Sequence, residues 1–253
     1  MEKLIVFDVE GDFAAFRDPS ITTNQTVYCI PPKSAVIGFI GGIIGLNRGH
    51  TCNDEIYCPE FVQLLEATRI GIRFNSTPRK ITFFTNHRSL KKIGVKPFKM
   101  ELLCKPNYTF FVETGDDFAK RLWDALKNRR YTYTPYLGHA YCLARISEPH
   151  LTNAKEVDPE KKVVSTVVLD EKSETFATEP AVSLHPDADN SRLVIERHLY
   201  HYVEKGEIKR IVLRHLIPIE GSKFEINKIQ KERRFTKFVK IEGMSDEEAI
   251  CLF

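Results

Sequence analysis

The chain has 253 residues, 42% of them hydrophobic and 28% charged, so it is long enough for one large domain or two moderate ones with real cores. A net charge of +3 says little about partners, and the distribution of charge along the chain says more. The start, Met1-Glu2-Lys3-Leu4-Ile5-Val6-Phe7-Asp8, has too short an apolar run for a secretory signal, and the run 35–46 falls short of the roughly 20 residues a bilayer crossing needs.

Six cysteines with no CxxC pair indicate reduced thiols in a cytoplasmic protein. His50, Cys52 and Cys58 lack an evident fourth ligand and fit no standard zinc spacing, so no metal and no cofactor is expected.

Lys3 to Val9 is a continuous apolar run, as a central strand covered on both faces requires. Pro31-Pro32-Lys33-Ser34 sets up a helix start with Ser34 as the expected cap, and the helix follows over 35–46. Its glycines 38, 41, 42 and 45 each cost about 1 kcal/mol of helix propensity relative to alanine, which close approach to a sheet or another chain would offset. Arg69 to Phe74 alternates strictly, giving a strand with Arg69 and Arg73 on one face.

Phe98 to Cys104 and Thr109 to Glu113 read as strands flanking the turn Lys105-Pro106-Asn107-Tyr108. Phe118, Leu122, Ala125 and Leu126 form a helical stripe, with Asp116 and Asp117 at its start and Lys127, Arg129 and Arg130 at its end, matching the helix dipole. A strand over Ala140 to Ile146 closes the first block. The order is strand, helix, strand, strand, helix, strand, a ferredoxin-like (RRM-like) βαββαβ pattern within an α+β protein. This predicts a first domain over 1–147, a polar linker over 148–162 and a smaller, mostly β domain over 163–253. Within the latter, strands are expected over Val163 to Leu169, Leu193 to Val203 and Ile208 to Ile219, the last two joined by the turn Glu204-Lys205-Gly206-Glu207.

From Ala67 to Met100 there is no Asp or Glu, while Arg69, Arg73, Arg79, Lys80, His87, Arg88, Lys91, Lys92, Lys96 and Lys99 are interleaved with Phe74, Phe83, Phe84 and Phe98. Cations neutralise phosphates and aromatic faces accept stacked bases, so this segment points to nucleic acid. The plainer alternative is a solvated basic loop anchored by its phenylalanines. Tyr136, His139 and Tyr141 form a second cluster suited to splayed bases. Lys33 and Ser34, at a helix N-terminus, suit a phosphate. A third basic cluster lies in Lys223 to Lys240 around Phe235 and Phe238.

The run Gly38-Phe39-Ile40-Gly41-Gly42 lacks the Gly-Lys-Ser/Thr ending of a nucleotide-binding loop. For metal-independent RNA cleavage His139 is the best local acid or base, although a polar RNA contact is the simpler role for it. His198, His201 and His215 follow no metal pattern and read as structural strand residues.

Three segments carry a family resemblance: Gly11-Asp12-Phe13-Ala14-Ala15-Phe16-Arg17-Asp18-Pro19 after the first strand, Pro31 to Gly45 in the first helix, and Tyr133-Thr134-Pro135-Tyr136-Leu137-Gly138-His139-Ala140-Tyr141-Cys142 before the last strand of the block. Together they resemble the Cas-five family of CRISPR-associated proteins, within the RAMP superfamily. The resemblance implies a subunit of a type I-B-like Cascade surveillance complex in antiviral defence, which cuts nothing and holds the 5′ handle of crRNA. It implies a β-hairpin thumb at about 75–96, and contact with the backbone subunit, the large subunit and target DNA near the protospacer-adjacent motif, with no membrane partner. On this reading the charge and aromatic patterns above make Arg17, Lys33, Ser34, Arg69, Arg73, Arg79, Lys80, His87, Arg88, Lys91, Lys92, Tyr136, His139 and Tyr141 the candidate RNA contacts. One branch of the family, in type I-C systems, cleaves precursor RNA with a tyrosine and a lysine–histidine pair; this sequence has no Lys-His dipeptide, and those roles do not carry over. A general RNA-binding module outside CRISPR systems is the remaining alternative.

Overall fold

A computed structural model describes residues 2–21, 24–46, 58–88, 94–171 and 182–253. In the first half the elements are β1 (Glu2–Gly11), β2 (Phe13–Ala14), α1 (Lys33–Ile44), α2 (Pro59–Ala67), β3 (Arg69–Phe74), β4 (Arg79–Arg88), β5 (Val95–Cys104), β6 (Asn107–Glu113), α3 (Asp116–Lys127) and β7 (Ala144–Glu156). The second half is strand only among the described residues: β8 (Val163–Val164), β9 (Val168–Asp170), β10 (Val182–Pro186), β11 (Arg192–Glu204), β12 (Glu207–Ile219), β13 (Phe224–Ile229), β14 (Lys237–Ile241) and β15 (Glu248–Leu252). The result is a mixed α/β protein dominated by strands.

Nine strands form one sheet in the order β10-β13-β8-β15-β14-β7-β1-β6-β3. The run β7-β1-β6-β3 is antiparallel throughout. β1 lies inside it and is buried on both faces, as its unbroken apolar run requires. Ile5, Phe7 and Val9 face the main core, where Tyr108 stacks between Phe74 and Phe110 and Phe39 of α1 meets Phe110 edge-on. Leu4 and Val6 face a second cluster with Phe111, Ala154, Val239, Ile250 and Leu252.

The sheet curls because its far members return to β3: Ile70 and Phe253 exchange backbone hydrogen bonds at 2.9 and 3.0 Å. Gly71 sits at this closure, where a Cβ would meet the Cys251 carbonyl oxygen at 3.0 Å. Only a residue without a side chain lets the two backbones approach so closely.

Several local expectations are corrected. Pro32, not Ser34, occupies the cap of α1, and Ser34 lies inside the first turn with no side-chain cap bond. Proline fixes the extended φ that precedes a helix, so the hydroxyl is not needed for the entry. Gly41 packs against Leu46, whereas Gly38 and Gly42 face open space. Helix α2 went unpredicted. The strands on either side of the turn after Cys104 belong to different sheets, because β5 pairs with β4 and β2 while β6 pairs with β1 and β3. The closing strand of the first block starts at Ala144 and continues to Glu156, so most of the polar stretch read as a linker is paired strand. Its polar residues fit because β7 is largely exposed along one face while its backbone is paired to β1 and β14. The predicted strand over 163–169 is split into β8 and β9, which join different sheets.

Candidate nucleic-acid interface

β4 and β5 pair over ten residues each, from Arg79↔Cys104 to Arg88↔Val95, giving an arm about 30 Å long at 3.3 Å per residue. Its root is fixed by β2, through Phe13↔Cys104 and Ala14↔Leu103, and by the bridge Gln25↔Met100. Phe83 and Met100 reach the core, and beyond them the arm is open. Phe84 is 74% exposed and Val95 56% exposed. Arg79 and Lys96 are exposed as well, and among the described residues no carboxylate stands within ion-pair distance of either one or of Lys99. Lys91 and Lys92, and the side chains of His87 and Arg88, lie outside the described residues, as do His50 and Cys52.

Lys80 is treated differently. Its Nζ donates to the Val27 carbonyl at 2.5 Å and stands 3.7 Å from Glu196 of β11. Val27 also pairs with Arg17, which is exposed, so Arg17, Arg79 and Lys80 gather at the arm's root. Glu196 accepts from the Cys29 N–H at 2.9 Å and from His198 Nε2 at 2.9 Å. Burial pushes the Glu196 carboxyl up, but these hydrogen bonds and the His198 charge outweigh it and hold the group below its ordinary range. His198 is itself buried between Tyr28, with ring centroids 3.9 Å apart, and His215 at 4.3 Å. Burial, then the neighbouring His198, keep the His215 ring neutral well below the usual histidine range. Sequence reading took these histidines as structural, and the structure places them there. It missed the role of Glu196, which only the strand register could have revealed.

Arg69 and Arg73 do share a face of β3, and both have partners within the fold. Arg69 is half exposed and 3.6 Å from Glu113. Arg73 donates to Asn75 Oδ1 at 3.0 Å and Thr109 Oγ1 at 3.1 Å, lying over Phe111. Lys33 is turned away from solvent: it is 7% exposed, and its Nζ donates to the Tyr200 hydroxyl at 3.2 Å. Burial, then the Arg69 charge, lowers its pKa from 10.5 to about 7. Ser34, beside it, is only partly buried.

The loop 131–143 rests on the C-terminal end of α1, where Thr132 N–H donates to Ile43 O at 3.0 Å and Tyr133 N–H to Gly42 O at 3.1 Å. It also holds the segment after β1, Ala15 N–H donating to Leu137 O at 2.9 Å. The three segments singled out in the sequence therefore meet. Gly138 has φ +86°, and a Cβ there would stand 2.2 Å from the Ala15 carbonyl oxygen. That tight turn presents Tyr133, Tyr136 and Tyr141 outward at 61, 47 and 57% exposure, and His139 stacks on Tyr141 with centroids 5.0 Å apart. Exposed rings in this number suit base stacking. No group of three metal-ligating side chains occurs among the described residues, and no helix there is long and apolar enough to cross a membrane.

The family model for the CRISPR-associated protein (Cas_Cas5) matches residues 4–234. A CRISPR protein from Archaeoglobus fulgidus has the same fold, with a TM-score of 0.58 at 13% identity, covering 98% of this chain and 98% of its own. A chain of a CRISPR RNA-guided surveillance complex aligns at 12% identity over 91% of this chain and 95% of its own, with a TM-score of 0.49. No curated protein matches. With the family pattern running through both halves of the fold, the chain belongs to the Cas_Cas5 family of CRISPR-associated proteins.

Proposed function

We propose that this protein is a non-catalytic subunit of a type I, I-B-like, Cascade complex in the cytoplasm, where it binds and caps the 5′ handle of crRNA. In this reading β7-β1-β6-β3 with α1 and α3 is a ferredoxin-like platform and the β4–β5 arm is the thumb. The backbone and large subunits dock beside it, near target DNA at the protospacer-adjacent motif.

The observation that carries the reading is the outward arm, whose segment 67–100 holds no carboxylate and whose cations Arg79 and Lys96 are exposed alongside Phe84. Phosphates neutralised by such cations release counterions, and an exposed ring adds a stacking contact. The tyrosine loop supplies the base-facing half and the arm the backbone-facing half.

The triple variant R79E/K96E/K99E tests this by handle binding across a salt series. Each lost phosphate contact on a single strand lowers the salt slope by about 0.7, so a loss of up to about 2 in slope and more than tenfold in affinity is expected. The control is F84A, expected to weaken binding several-fold with the salt slope unchanged. Wild-type affinity and slope in the folded triple variant would refute the assignment.

A further inference from the structure

Away from the arm and the tyrosine loop, a groove of about 730 Å³ runs between α3 and the sheet, a volume typical of sites that take a ligand or an anchoring side chain. Its helix wall is a second stripe of α3: Asp116, Ala119, Lys120 and Trp123 follow at i, i+3, i+4 and i+7. The first stripe, with Leu122 and Leu126, is buried in the core. The sheet wall carries Ile5 of β1 and Leu151 of β7, which stand directly opposite each other and so share a face. Ile5 is 2% exposed, whereas Leu151 is 44% exposed. Leu151 is the one apolar side chain in a wet stretch of β7, with His150 before it and Thr152 and Asn153 after it.

The charges around this floor decide what it fits. Lys3 from the sheet and Lys120 from the helix are exposed, and among the described residues no carboxylate stands within ion-pair distance of either. Of the two acids that line the groove, Glu113 is held by Arg69 at 3.6 Å and by Lys237 at 2.8 Å, and Asp116 stands exposed at the start of α3. The groove also lies apart from the candidate nucleic-acid interface. Lys3 and Gly11 are eight residues apart on β1, about 26 Å at 3.3 Å per residue, and it is at the Gly11 end that the arm turn is held.

We propose that this groove is a docking site for a neighbouring protein subunit, which seats an apolar side chain on Ala119, Trp123 and Leu151 and sets carboxylates against Lys3 and Lys120. An apolar floor with a tryptophan, inside a charged rim, is the anatomy of a protein–protein interface. A polynucleotide would bring phosphates to Asp116 and Glu113 as well as to the lysines, and its bases need open ring faces. Those faces are on the tyrosine loop and the arm, whereas Trp123 is partly buried against the core.

The proposal takes from the preceding reading only that the chain works inside a multi-subunit complex. Trp123 is the single tryptophan of the chain, so the protein grown with 5-fluorotryptophan gives one 19F signal, from the groove itself. The purified backbone subunit and the purified large subunit of its own system are added separately, both unlabelled. One of the two is expected to shift that signal, and the crRNA handle is expected to leave it in place. In co-expression with both subunits and crRNA, L151E and K3E/K120E should each lose co-purification of that same subunit by more than tenfold. Both variants should keep their handle affinity, and K3E/K120E, which alters exposed side chains only, should melt as wild type does. A 19F signal that neither subunit moves would overturn the proposal, and so would assembly of K3E/K120E at wild-type yield. A photo-crosslinker at position 151 that captures crRNA, or a second copy of the chain, in place of the subunit would overturn it too. If wild-type protein fails to bind the handle while K3E/K120E still loses its subunit, the handle reading falls and the docking groove stands.

Discussion

Among the described residues Lys33, at the start of α1, faces no carboxylate and has the Tyr200 hydroxyl as its acceptor. Its pKa of about 7, against 10.5 for an ordinary lysine, means that the folded chain resists a proton that the unfolded chain accepts. At 1.36 kcal/mol per pKa unit, and with the amine half protonated near pH 7, the penalty there is about 4 kcal/mol. Lys33→Met keeps the stem and removes the amine, giving up one hydrogen bond of about 1 kcal/mol. The variant should therefore be more stable than wild type by about 3 kcal/mol at pH 7. Because the folded pKa is the lower one, the advantage shrinks as pH rises toward 10.5 and levels off below 7. Urea unfolding followed by Trp123 fluorescence, run on both proteins from pH 7 to 10, measures it. A variant that is less stable at pH 7, or a difference indifferent to pH, would refute the reasoning. Handle affinity should stay within about twofold, since the ammonium points at Tyr200; a tenfold loss would mean that Lys33 leaves its place to meet a phosphate.

Gly138→Ala combines a left-handed φ with a Cβ on a carbonyl oxygen, so a loss of at least about 2 kcal/mol is expected in thermal melts, with weakened handle binding as His139 and Tyr141 shift. The buried His215 gives the fold an acid limit: its folded pKa is depressed, so stability is full above about pH 6.5 and falls as pH drops below it, by up to about 1.4 kcal/mol per pH unit. His215→Phe should flatten most of that slope between pH 6.5 and 5.5, leaving a smaller one from His201, which burial and Arg210 also depress. Glu196 and Asp18 act in the same direction only below their own ordinary range. An unchanged slope in chemical denaturation would remove His215 from the account.

Local patterning carried β1 through its unbroken apolar run, and β3, α3 and the β11–β12 hairpin with its Lys205-Gly206 turn through periodicity and turn chemistry. The extent of β7 was not, because a strand with one wet face carries no apolar run and is held by backbone pairing to β1 and β14. Charge patterning marked the arm, yet it could not separate Arg79, which meets solvent, from Arg73 and Lys33, which the fold occupies internally. That distinction depends on long-range neighbours such as Tyr200, 167 positions away. The same holds for Glu196, which no local signal connects to Lys80 or Cys29.

The turn joining the arm to the platform is clamped at both corners: Lys105 N–H donates to Asp12 O at 2.8 Å, and Gly11 N–H donates to Pro106 O at 3.2 Å. A hairpin hinged there would act as a long lever, since a rotation of 10° at its base carries a tip 30 Å away through about 5 Å, close to one strand spacing. With the pivot stitched to the end of β1, such swings require backbone bonds to break. The aim of the arm is then set by the central sheet, and whatever the tip touches is positioned relative to the tyrosine loop with the stiffness of that sheet.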